Sequence, residues 1–144
     1  SMEQARVLYG RAAEQGYASA QNNLAIMHEK GEGGPVSMEQ ARVLYGRAAE
    51  QGYASAQNNL AIMHEKGEGG PVSMEQARVL YGRAAEQGYA PAQYNLAIMH
   101  FLGQGGPISM EQAQVWFEKA AEQGHRVAKC ALFRKLIKTI KGNE

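Results

Sequence analysis

Residues 37–72 read SMEQARVLYGRAAEQGYASAQNNLAIMHEKGEGGPV, and residues 1–36 carry the same text without a mismatch. Residues 73–90 begin it a third time, and the copy drifts only after Ala90, where Pro91, Tyr94, Phe101, Leu102, Gln104 and Ile108 replace Ser, Asn, Glu, Lys, Glu and Val. A fourth, more divergent copy fills 109–144. A fixed period of this length is the signature of stacked supersecondary units. Identity over a whole unit points to construction, or to a very recent duplication.

Each unit punctuates itself. Ser37 followed three residues later by Gln40 fits a helix start with a capping box, and Gly52 fits a left-handed helix end, which predicts a first helix over about 38–51. A second helix is predicted over about 54–66, closed by Gly67 and followed by a Gly69-Gly70-Pro71 loop that cannot stay helical. Pro91 suits the first turn of the equivalent third-unit helix.

Periodicity assigns the faces. Met38, Ala41, Leu44, Tyr45, Ala48 and Ala49 fall on one apolar stripe of the first helix, opposite Glu39, Gln40, Arg42, Arg47 and Glu50. In the second helix Ala56, Leu60 and Met63 form the stripe. The chain has one Trp and three Phe, so alanine must do much of the packing, with helix axes close together. A single hairpin is too thin to bury its stripe, and stability must come from stacking on the next. The reading is an all-α chain, one α-solenoid domain over 1–144. Its repeats are 1–36, 37–72, 73–108 and 109–144, the last ending in a long basic capping helix.

The text AAEQGYAPAQYNL at 84–96, then Gly103-Gln104-Gly105-Gly106-Pro107 and later Ala113, Trp116, Ala120 and Ala121, resembles the Sel-one-like repeat. That family is related to the tetratricopeptide repeat. The resemblance covers all four units and implies a right-handed superhelix and an adaptor role in assembling other proteins. Ser37, Ser73 and Ser109 stand where the family often caps with Asp, Gly70 where Val is common and His64 where Tyr is frequent. None of these removes a position that defines the fold, since Ser caps as Asp does.

By the tetratricopeptide analogy the second helix of each hairpin lines the concave side. Its exposed stripe is then expected to be Ser55, Asn58, Ile62, Glu65 and Lys66 in the second unit, with Asn22, Ile26 and Glu29 as the first-unit counterparts. Pro91, Tyr94, Ile98, Phe101 and Leu102 are expected in the third. The groove would be polar at one end and apolar at the other, suited to a protein or peptide ligand anchored by Tyr94, Ile98 and Phe101. The alternative is that these three pack on the terminal helix. Arg134 extends the same candidate surface into the fourth unit.

Other constellations point away from chemistry. His28, His64 and His100 recur once per unit. Stacked units lie about 8–10 Å apart, whereas metal ligands must meet within about 4 Å, so packing explains these histidines and no metal is expected. Asn23, Asn59 and Asn95 sit mid-helix, where Asn is a poor former, and predict a buried hydrogen bond to a neighbouring backbone. Near-identical units do not supply a nucleophile, a base and an oxyanion site together, so no catalytic residue and no cofactor is expected. The glycine-rich turn at 31–35 lacks the Lys and Ser/Thr of a phosphate loop and carries Glu32. Cys130 alone builds neither a disulfide framework nor a thiolate metal cage.

The net charge of +1 calls for no nucleic acid, and no apolar run approaches the roughly 20 residues of a membrane span. By unit the charge runs −1, −1, 0 and +3, because Arg126, Lys129, Arg134, Lys135, Lys138 and Lys141 crowd the last predicted helix. Capping of the open core explains that helix on structural grounds, with binding of anionic lipid or of an acidic partner as the alternatives. The first unit has no such cap, which suggests head-to-tail self-association through the N-terminal end.

Overall fold

The computed structural model describes residues 1–125, 138–139 and 141–142. Among them lie seven helices of 13 residues and no strand: α1 (Met2–Glu14), α2 (Ala18–Lys30), α3 (Met38–Glu50), α4 (Ala54–Lys66), α5 (Met74–Glu86), α6 (Ala90–Leu102) and α7 (Met110–Glu122). The predicted boundaries hold to within a residue. Ser1, Ser37, Ser73 and Ser109 each accept the backbone N–H three residues on, which satisfies one free amide of the first turn. The reciprocal glutamine arm of the capping box is formed at Ser1. Gly31, Gly67 and Gly103 close α2, α4 and α6 in the left-handed conformation, their N–H groups donating to the carbonyls of Met27, Met63 and Met99.

The helices form a solenoid in which neighbours in sequence are neighbours in space. The second helix of each hairpin packs more extensively on the first helix of the following unit than on its own partner, so cohesion lies between units. Ala41, Leu44, Tyr45, Ala48 and Ala49 are buried as the stripe requires, and Met38 is half-buried. Among the described residues eleven alanines are wholly inaccessible, Ala48, Ala56, Ala61 and Ala84 among them, and the largest fully buried side chains are Tyr45, Tyr81, Met63 and Met99. Small contact residues thus bring the backbones together, and one tyrosine or methionine per layer fills what remains.

Gly10, Gly46 and Gly82 lie in the middle of α1, α3 and α5, and a Cβ at any of them would meet no neighbouring atom. The fourth unit carries Glu118 at this position, exposed in α7. Glycine here has no packing role and costs backbone entropy on folding. Each Gly→Ala change at 10, 46 and 82 is expected to raise stability by about 0.5–1 kcal/mol, read as a stepwise rise in melting temperature across the single, double and triple variants. A fall in melting temperature would mean the position is crowded.

The stretch expected to form the basic capping helix, with Cys130 and Arg134, lies almost wholly outside the described residues. Within it, Lys138–Thr139 and Lys141–Gly142 are helical. Lys141 Nζ lies 3.7 Å from Glu118 Oε1 of α7, an exposed ion pair.

Candidate functional site

The surface selected from sequence runs along α2, α4 and α6, and the structure redistributes its residues. Asn22 and Asn58 were expected on an exposed stripe but are only 4% and 5% accessible. The reason is a cross-unit ladder. Asn59 Nδ2 donates to Asn22 Oδ1 at 3.4 Å, and Asn95 Nδ2 donates to Asn58 Oδ1 at 3.2 Å. The partner of Asn59 and Asn95 is therefore a side chain of the preceding unit, in place of the backbone group expected, and both stay half-buried. The face still open along α4 keeps Ser55, Ile62 and Lys66 and takes Asn59 in place of Asn58, sharing a side at spacings of four, three and four.

Glu29 and Glu65 are half-buried and engaged, accepting the hydroxyl protons of Tyr45 (2.7 Å) and Tyr81 (2.8 Å) from the next unit. Burial, followed by these carboxylates, raises both phenols well above their ordinary pKa. Ile26 and Ile62 pack against the main core with part of their surface free.

Tyr94, Ile98 and Phe101 are half-buried. They surround a second core cluster of Ala97, Ala113 and Phe117, with Trp116 joining both clusters. Tyr94 meets Phe117 at 5.9 Å between centroids and stacks on His125 at 4.8 Å. Tyr94 occupies the register of Asn58, and the fourth-unit counterpart of its ladder partner Asn95 is Ala131, so the sequence drops both side chains of the next rung together. Arg134 lies outside the described residues.

Two recurrent networks were not read from sequence. In the first, Gln21, Gln57 and Gln93 are buried, and each Nε2 donates at 3.2 Å to the carbonyl of Ala13, Ala49 or Ala85. Their Oε1 atoms accept from Gln51, Gln87 and Gln123 of the following unit at 2.9, 2.9 and 2.7 Å. Each of these three amides thus has a donor and an acceptor partner.

In the second, Arg6, Arg42 and Arg78, assigned by periodicity to a polar face, are half-buried clamps. Arg42 Nη1 donates to the Glu68 carbonyl at 3.0 Å, and its Nη2 donates to the Pro71 carbonyl at 2.9 Å and to His64 Nδ1 at 2.7 Å. Arg78 repeats this with the carbonyls of Gln104 (3.1 Å) and Pro107 (3.0 Å) and His100 Nδ1 (2.6 Å). Arg6 does the same with Glu32, Pro35 and His28. The signal available in sequence was joint loss: the fourth unit has Gln114 at the arginine position and Leu136 at the histidine position.

Among the described residues no group of three or more His, Cys, Asp or Glu is placed to hold a metal, and no helix is long and apolar enough to cross a membrane.

Hairpins of 36 residues, stacked through a small-residue core and closed by glycine-rich loops, define a helical repeat protein of the tetratricopeptide-related kind. The chain matches the Sel1 repeat over residues 1–17, 18–53, 54–89 and 90–125 and belongs to that family, whose members are repeat scaffolds that commonly mediate protein interactions. The matched units after the first begin at α2, α4 and α6, offset from the sequence period counted from Ser1. Among solved structures the chain is similar to a protective antigen of uropathogenic Escherichia coli displaying an SLR fold. That pair has a TM-score of 0.80 and 36% identity, over 83% of this chain and 26% of that one. It is also similar to a Sel1 repeat protein from Oxalobacter formigenes, with a TM-score of 0.77 and 37% identity, over 79% of this chain and 47% of that one. The chain therefore spans less than half the length of either. Helicobacter pylori cysteine rich protein B shares the fold at 19% identity, with a TM-score of 0.70 over 88% of this chain and 91% of that one. No curated protein sequence matches the chain.

Proposed function

We propose that this chain is a non-enzymatic scaffold that binds a protein or peptide on the concave face formed by α2, α4 and α6. Its array was made by copying one unit and has no fixed native ligand. The observation that carries this reading is the in-register column of half-exposed Asn23, Asn59 and Asn95 beside half-exposed Ile26, Ile62 and Ile98, one pair per unit. Amide and apolar positions repeating at a constant step suit an extended chain, which presents backbone polar groups and side chains alternately. The identity of units one and two supports copying, because residues facing one specific partner would differ from unit to unit. The reading of a natural adaptor with one partner predicts such divergence.

Self-association through the N-terminal end is a second reading; on α1, Leu8 is 62% and Tyr9 37% accessible.

The test is a random displayed-peptide screen on protein whose mass is first followed against concentration; a rising mass would favour self-association instead. A Ser19→Arg, Ser55→Arg variant serves as control, since both serines lie on the proposed face away from the core. Enriched peptides are expected to bind the folded variant at least about tenfold more weakly, a difference of about 1.4 kcal/mol. Failure to enrich any peptide at micromolar sensitivity, or equal binding to the variant, sinks the groove.

A further inference from the structure

We propose that the three Arg–His–loop clusters are acid-releasable clamps that set the stiffness of the joint between consecutive units. The joint after the second unit is the loop at 67–72, which passes from α4 to the cap of α5. Three groups converge on Arg42 there: the ring of His64 and the carbonyls of Glu68 and Pro71. Guanidinium is a donor at every nitrogen and stays charged throughout the physiological range. Its contact with Nδ1 therefore requires a lone pair at that atom, which makes the ring the neutral tautomer protonated at Nε2.

A proton taken from solvent at Nδ1 turns the acceptor into a donor and sets two cations within hydrogen-bond distance. The arginine must then withdraw, and the same nitrogen that held the histidine also releases Pro71. What remains of the joint is backbone: Gly67 and Glu68 N–H on the Met63 carbonyl, and Ser73 N–H on the His64 carbonyl. Acid thus loosens the loop without removing the helix ends it connects.

The charged groups on the elements around His64 are Glu39, Arg42, Arg47 and Glu50 on α3, Glu65 and Lys66 on α4, Glu68 in the loop, and Glu75, Arg78, Arg83 and Glu86 on α5. Glu65 is engaged by the Tyr81 hydroxyl, and Arg42 is the group in contact with the ring. Burial first, and the arginine charge second, hold His28, His64 and His100 below the ordinary histidine range. A lowered folded-state pKa means that the unfolded chain binds more protons, so the clamp contributes fully at neutral pH. The contribution fades as pH falls below about 6.5 towards the folded-state values. Three copies in like surroundings release over one range of pH. The fourth unit, with Gln114 and Leu136, lacks both partners.

The test is nitrogen-detected histidine NMR on the full chain from pH 8 to 4.5, combined with amide exchange of the loops. His28, His64 and His100 are expected as Nε2–H tautomers at pH 7.5. Arg42→Gln is expected to raise the His64 titration by roughly 0.5–1 pH unit while leaving His100 in place. Exchange at 31–36, 67–72 and 103–108, corrected for intrinsic rates, should rise several-fold on acidification. It should stay flat in a His28→Gln, His64→Gln, His100→Gln variant, whose amide oxygens can still accept from arginine. An Nδ1–H tautomer in the unmodified protein, a His64 titration unmoved by Arg42→Gln, or loops that follow the same pH course in the triple variant would each overturn the proposal. If the triple variant does not fold, the first two readouts still decide.

Discussion

Tyr81→Ala is expected to cost about 3–5 kcal/mol of unfolding free energy, and Tyr9→Ala less than about 1, although both residues stand in the same sequence, MEQARVLYGRAAE. Tyr81 is 1% accessible at the contact between α5 and α4, with its hydroxyl on Glu65; Tyr9 is 37% accessible on α1. Removing the inner ring leaves a cavity in a close-packed core that relaxes only in part. Tyr81→Phe separates the two parts of the loss. It deletes only the hydroxyl, whose half-buried partner Glu65 can find water, and should cost about 1 kcal/mol. Denaturant titration of the three variants checks this. In a stack coupled only through nearest neighbours, Tyr81→Ala should also split one transition into two by weakening the middle interface. Equal losses for Tyr9→Ala and Tyr81→Ala would refute the claim that burial between units, and not local sequence, sets the energetics.

Gly69→Ala should be the most damaging change in a loop. Gly69 has φ +70°, and a Cβ there would lie 2.7 Å from the carbonyl carbon of Met38, at the start of α3. The left-handed conformation alone costs an L-residue about 1–2 kcal/mol. The backbone collision adds to it, because neither the loop nor the helix end can shift without breaking the Arg42 contacts with Glu68 and Pro71. Gly52→Ala isolates the first part: its φ is +85°, but a Cβ there would meet nothing. Gly69→Ala is therefore expected to exceed about 2 kcal/mol and Gly52→Ala to stay near 1, both measured by thermal or urea unfolding. If the two substitutions cost the same, the close approach between loop and helix carries no energy.

The period, the caps and the glycine ends were legible because each depends on residues within a few positions of one another. Ser37 caps Gln40 and Gly67 closes α4 whatever lies beyond. The buried stripe of α3 was legible for a related reason, since an apolar face at helical spacing has one physical use. The second helices were harder, because they are covered from two sides and their buried set includes Gln57 and Asn58. A polar side chain reads as exposed until its partner is known, and those partners lie 30 and 37 residues away in sequence. Tyr94 is ambiguous in the opposite sense. Its ring reads equally as an anchor for a ligand or as core, and its contact with Phe117 accounts for its buried part. Arg42 was misassigned because periodicity weighs hydropathy, and a long guanidinium side chain crosses from the outer face to the loop.

The glutamine ladder has a bearing on how such an array can change in length. Each buried amide takes its acceptor from its own hairpin and its donor from the next, at one constant stride along the chain. A genetic insertion or excision of one whole period, cut at any phase, rejoins like to like and leaves every rung occupied. A cut of any other size strands an amide at the splice. Recombination between near-identical copies makes whole-period changes by its nature, so unit number can vary freely in this architecture while the register within a unit is held fixed by its own interior chemistry.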